Sequence, residues 1–158
     1  MTLLAVLSVA LGTSACTPDR EGAVGIARSP EGHLVAVVAG CGTEFKQLYA
    51  DNALPQTLTS FASWKLPKGT GATVDLDLER ADDTSRQPQQ LTFHENSRYS
   101  LYASLKTAVI TDGVDFTPAD VPSGSPDVVL YGGRDDKDEP VVERGTREEF
   151  AAAVCKQQ

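Results

Sequence analysis

The sequence is short of the residues and spacings that most chemistry needs. In 158 residues it has two histidines, His33 and His94, and three cysteines, Cys16, Cys41 and Cys155. No Cys-x-x-Cys spacing occurs, and neither histidine has a second histidine or a cysteine at ligand spacing, so the common signatures of thiol exchange and of a zinc site are missing. There is no Gly-x-Ser-x-Gly elbow and no phosphate-cradling Gly-x-x-x-x-Gly-Lys-Ser/Thr. Ser123 and Ser125 lie in VPSGSP, a loop that nothing in the sequence joins to either histidine as a triad. Positive charge is also scarce, with 14 Lys and Arg against 22 Asp and Glu and a net charge of −8. Such a balance excludes binding to a nucleic-acid backbone, which depends on clustered Lys and Arg. It also predicts repulsion from anionic lipid headgroups. No cofactor is implied.

Long apolar runs are missing as well. The run from Leu3 to Gly12 is half of the roughly 20 residues that a membrane-spanning helix requires. It is the size of a signal-peptide h-region and is followed by the small residues Gly12, Thr13, Ser14 and Ala15 and then Cys16. MTLLAVLSVALGTSAC thus resembles a lipobox precursor, although Thr13 stands where leucine is commonest and no Lys or Arg precedes Arg20. The resemblance implies a signal peptide over 1–15, a diacylglycerol on Cys16, a tether over 16–22 and one domain over 23–158. On this reading the protein sits on the outer face of the cell membrane, held by the lipid. Cleavage after Ala15 without acylation would make it secreted, and a buried N-terminal element with an ordinary core cysteine is the third reading.

Three cysteines leave an odd thiol. If Cys16 carries lipid, Cys41 and Cys155 remain as a pair, and an oxidising compartment would bridge them. Two separate buried thiols are the alternative, because free cysteine is among the most buried residue types.

The dominant period beyond residue 22 is two. Val24 and Ile26 alternate with smaller residues, and Ser29-Pro30-Glu31-Gly32 turns the chain into HLVAVVAG, a hairpin signal. In Thr73 to Glu79, Val74, Leu76 and Leu78 point one way while Thr73, Asp75, Asp77 and Glu79 point to water, the pattern of a sheet with one wet face. Further strands are expected over Phe45 to Tyr49, Phe61 to Leu66, Tyr99 to Lys106, Gly113 to Phe116 and Val128 to Tyr131, separated by Pro- and Gly-rich breakers. About seven short strands at this spacing predict a mainly β, antiparallel, immunoglobulin-like β-sandwich. Thr146-Arg147-Glu148-Glu149 is a capping box that opens one C-terminal α-helix over 147–156, with Cys155 facing the sheet.

The stretches AVGIARSPEGHLVAVVAGCG, FASWKL, RYSLYASLKT, GVDFTPADV and DVVLYGG resemble a group of small uncharacterised actinobacterial lipoproteins and secreted proteins. That resemblance implies an exported β domain without assigning an activity.

Binding residues are sparse. Trp64 and Tyr99 are expected in the core, whereas Tyr102, on the opposite face from Tyr99 and sharing it with Ser100 and Ser104, is a candidate contact for a partner. The run Asp135-Asp136-Lys137-Asp138-Glu139 offers carboxylates at Asp135, Asp136, Asp138 and Glu139, but without the spacing or turn glycine of a calcium loop it reads as a solvated hairpin tip. Together these features predict a non-catalytic envelope protein that engages another envelope protein or a wall polymer. A tethered or secreted hydrolase with a site of dispersed carboxylates is the alternative.

Overall fold

The computed structural model describes residues 20–52, 60–66, 68, 73–80, 92–106, 109–134 and 140–156. Within them the chain forms β1 (Arg20–Arg28), β2 (Leu34–Ala39), β3 (Gln47–Asn52), β4 (Ser60–Lys65), β5 (Thr73–Asp77), β6 (Tyr99–Lys106), β7 (Val109–Asp112), β8 (Val114–Phe116), β9 (Val128–Arg134), β10 (Pro140–Thr146) and α1 (Arg147–Lys156). A 3-10 turn lies at Pro118–Asp120. The fold is mainly β, a sandwich of two antiparallel sheets with one C-terminal helix. It has ten described strands rather than about seven, because β7 and β10 are additional, and β1 begins at Arg20 rather than Ala23.

Sheet I has the order β10-β9-β1-β2-β5, and sheet II has the order β4-β3-β6 with β7 and β8 along the other edge of β6. The two sheets are joined where β7 pairs in parallel with the start of β1, Arg20 to Ile110 and Ala23 to Asp112. Beside this seam the layers come very close. A Cβ on Gly132 of β9 would lie 2.2 Å from the Gly113 carbonyl oxygen, so only glycine fits there. The ladder of β6 and β7 shifts register between Ser104 and Lys106. At this irregularity the buried Thr111 hydroxyl accepts the Ala103 N–H at 2.8 Å, so the amide is not left orphaned.

Alternation builds the main core. Val24 and Ile26 of β1, Leu34, Ala36 and Val38 of β2 and Leu76 of β5 face Leu48, Ala50, Trp64, Tyr99, Leu101, Val114 and Phe116 of sheet II. Phe93, Tyr99 and Phe116 meet ring to ring inside it. Every residue of β2 is buried, however, and so are Ala23 and Ala27 on the other face of β1. A second cluster of Ala23, Ala27, Val37, Ala39, Val129 and Tyr131 lies on that outer face, under Phe150 and Val154 of α1. The molecule is therefore three layers deep over sheet I, which corrects the expectation of a sheet with one wet face.

The capping box forms as its sequence implies. The Glu149 N–H donates to the Thr146 hydroxyl at 3.1 Å, and the Thr146 N–H donates to the Glu149 carboxylate at 2.7 Å. Such a cap contributes about 1 kcal/mol. Glu148 and Glu149 in the first turn and Lys156 in the last complement the helix dipole. Arg147 reaches across sheet I to Asp75 of β5 at 2.8 Å, so Asp75 has an ion-pair partner rather than water alone.

Cys41 and Cys155 form a disulfide, with Cα atoms 5.2 Å apart and a sequence separation of 114. Cys41 follows β2 in a tight turn, closed by the Thr43 N–H donating to the Gly40 carbonyl at 2.7 Å, with positive φ at both Cys41 (49°) and Gly42 (98°). Cys155 is exposed instead of facing the sheet. Phe150 and Val154, one turn apart, take the buried stripe, and the next position rotates out toward the end of β2. The bridge staples the last turn of α1 to sheet I from the side.

Replacing both cysteines, Cys41→Ser with Cys155→Ser, is expected to lower the unfolding free energy by about 3 to 5 kcal/mol in chain-entropy terms. Denaturant unfolding followed by the fluorescence of buried Trp64 measures this. Hydrogen exchange should show the α1 amides opening ahead of those of β1. A bridge that constrains nothing would leave both observations unchanged.

Candidate functional site on the outer face of sheet II

With α1 over sheet I, the outward side of sheet II is left with polar and aromatic residues. Parity decides which they are. Leu48 and Ala50 of β3, Leu101 and Ala103 of β6, Ala62 and Trp64 of β4, and Val114 and Phe116 of β8 are buried. Their neighbours in sequence, Gln47, Tyr49 and Asp51, Ser100, Tyr102 and Ser104, Ser63 and Lys65, and Asp115, therefore face outward. The register sets them in rows. Ser63 lies opposite Tyr49 and Tyr49 opposite Tyr102. To one side run Lys65, Gln47 and Ser104, and to the other Asp51, Ser100 and Asp115.

The central row is aromatic. The Tyr49 and Tyr102 rings stack with centroids 5.2 Å apart and planes 16° from parallel. Tyr102 is half-buried by this contact rather than standing free. Burial pushes its phenol up to about 12, and the Asp51 charge and the hydrogen bond that the hydroxyl donates to Asp51 act in the same direction. Oδ1 of Asp51 is shut off from solvent and has no hydrogen-bond partner. Asp115 is fully engaged. It accepts from Arg98 at 3.0 Å and from the Ser100 hydroxyl. Gln47 donates weakly to the Ser63 hydroxyl at 3.5 Å.

A second polar cluster closes the far end of sheet I. His33, just before β2, places Nδ1 2.9 Å from Oδ2 of Asp77, while Oδ1 of Asp77 accepts the backbone N–H groups of Glu79 and Arg80, both at 3.0 Å. The hydrogen bond to Asp77, then its charge, hold the imidazole above its ordinary value of 6.5. Beside it Arg28, mostly buried, donates to the carbonyls of Gly32 (2.9 Å), Pro118 (2.7 Å) and Val121 (3.3 Å) and so ties the β1–β2 turn to the 3-10 turn. Its three hydrogen bonds go to backbone carbonyls and its charge faces Glu95 at 3.8 Å, which marks a latch rather than an anion site. Burial pushes Asp75 up, against the opposing effect of Arg147.

The chain matches no protein-family model, no curated protein and no solved structure.

Of the residues singled out from sequence, Tyr102 belongs to the outer face, and Trp64 and Tyr99 are buried in the core. Ser123 and Ser125 are exposed in the loop after the 3-10 turn. Cys16 and the acidic residues Asp135, Asp136, Asp138 and Glu139 lie outside the described residues. Among the described residues no three His, Cys, Asp or Glu side chains converge as a metal site. Tyr49 and Asp51 are the members that the sequence reading missed. Their signal is the shared parity of Gln47, Tyr49 and Asp51 in QLYADN, visible once the strand is extended to Asn52.

Tyr102 is expected to ionise near 12 in a spectrophotometric titration, and Asp51→Asn should lower that midpoint by removing the adjacent charge. An unmoved midpoint would separate the two groups. His33 is expected to titrate above 6.5 by NMR. Because its folded value is raised, the pair's stabilising effect is fully present below about 6.5 and is lost as pH rises through the folded value. His33→Gln should remove that part of the pH dependence of unfolding.

Proposed function

We propose that the protein is an exported, non-catalytic module of the cell envelope, anchored to the outer face of the membrane by a diacylglycerol on Cys16, and that it engages an envelope protein or a wall polymer through the outer face of sheet II. The observation that carries this reading is the pairing of Cys41 with Cys155. It leaves Cys16 as the odd cysteine of the three, at the end of an apolar run of signal-peptide size. A bridged pair also suits an oxidising compartment. An exported lipoprotein of the kind that its strand motifs resemble would have both features.

The fold adds a geometry to the anchor. β1 begins at Arg20, four residues beyond Cys16, a span of at most about 14 Å. The same end of sheet I carries Ala39, paired with Ala23, and then Cys41. An anchored domain would hold its disulfide end close to the headgroups and its β1–β2 turn away from them. No helix of the described residues is long and apolar enough to cross a membrane, so the acyl chains would do the holding. Sheet II supplies the working surface because, among the described residues, its outer face combines half-exposed aromatic rings with polar side chains.

Intact-mass measurement after expression of the full-length precursor in a lipidating bacterial host tests the reading. The expected product begins at Cys16, carries diacylglycerol, gains about two hydrogens on reduction and partitions with membranes, while Cys16→Ser abolishes the partitioning. A product that still begins at Met1, or an unacylated product released to the medium, would overturn the anchored assignment.

A further inference from the structure

Taking the outer face of sheet II as the binding surface proposed above, we propose that it receives a lysine or arginine side chain of a basic partner protein, with the alkyl stem against the Tyr49 and Tyr102 rings and the cation at Asp51. The inference rests on that reading of the face.

Three features of the face point to a cation. Asp51 and Asp115 are its acidic groups in the row beside the tyrosines, and Asp115 is already neutralised by Arg98 at 3.0 Å. Asp51 has no Lys or Arg partner among the described residues; its contact is the neutral Tyr102 hydroxyl, and Oδ1 has none. A carboxylate held beside two aromatic rings presents negative charge next to negative ring faces, and a cation satisfies both. Oδ1, shut off from solvent, would gain a charge-assisted donor only if the carboxylate turns to meet the cation.

The shape of the face selects a slender group. Because the two rings stack on each other, each has one face occupied by its partner and one turned toward the neighbouring strand. On the Tyr49 side that neighbour is Ser63, and on the Tyr102 side it is Gly113, exposed and without a side chain. A Cβ at Gly113 would meet the Leu101 carbonyl oxygen at 2.6 Å and Cβ of Tyr102 at 3.5 Å, so no side chain can stand between this position and Tyr102. A stack of two rings bordered by the small residues Ser63 and Gly113 suits an extended alkyl chain better than a sugar ring, which needs a broad platform. Net charge agrees. At −8 the chain attracts basic proteins and steers them over distance. Tyrosine with serine and glycine is also the composition of protein-recognition surfaces.

The test titrates the purified processed protein with a (Lys-Gly)5 peptide, and in parallel with a glucosamine hexamer, by calorimetry and by amide shifts. The expected result is peptide binding that shifts the amides of Tyr49, Asp51 and Tyr102 and weakens about tenfold in Asp51→Asn and in Tyr49→Leu. Glu148→Gln, an equal change of charge on exposed α1, should alter it less than about twofold. Equal losses in Asp51→Asn and Glu148→Gln would show diffuse attraction and overturn the site. Tighter binding of the hexamer would assign the face to a wall polymer instead, and absence of peptide binding would also overturn the proposal. Either result with an intact lipid anchor defeats the cationic assignment alone. An unlipidated product defeats the anchored envelope assignment whatever the peptide does.

Discussion

Both faces of β1 and β2 are apolar, and strands of that kind are stable only between two covering layers. Sheet II supplies one cover and α1 the other. The helix has ten residues, too few to hold its shape in water alone. It persists because Phe150 is fully buried against Tyr131, at 5.0 Å between rings, because the capping box closes its first turn, and because the disulfide fixes its last. Loss of the helix would expose Val37, Ala39 and Val129 together, a continuous apolar strip. Everything else in the molecule is arranged around this double burial.

The second consequence is asymmetry. Sheet I spends both faces on packing, whereas sheet II spends one, so its outer side can hold residues chosen for something other than stability. Tyr49, Tyr102 and Asp51 are placed there by the strands β3 and β6, not by loops. A face of this kind is already shaped before any partner arrives, and binding need not order it.

Much of the architecture was legible in the sequence, for reasons that can be named. The alternation in Thr73 to Asp77 and in Tyr99 to Lys106 needs only the period of a strand. Thr146 with Glu149 needs only the local geometry of a helix start, and the helix bounds follow from it. The cysteine pair follows from counting. What escaped depends on distant contacts. β7 has only four residues, and β10 opens with proline and bears the exposed Val142, so neither shows a clean buried face. LVAVVA was a visible sign of a strand buried on both sides, but the cover that it demands lies more than a hundred residues later. The tyrosine stack rests on the register of β3 with β6, which sets Tyr49 opposite Tyr102. Parity assigned Tyr102 its face and could not assign it a neighbour.

The long separation of the disulfide also governs the order of events as the chain is made. The β1–β2 hairpin can close early, while the helix that covers its outer face and the thiol that completes the bridge come 114 residues after Cys41. Through most of synthesis a formed hairpin carries a bare apolar face, the kind of intermediate that aggregates unless it is held. On oxidation Cys41 could also meet Cys16, which precedes it in the sequence. Acylation of Cys16 would remove this competitor once the chain reaches an oxidising compartment. The lipid would then act as a protecting group as well as an anchor, leaving oxidation a single product.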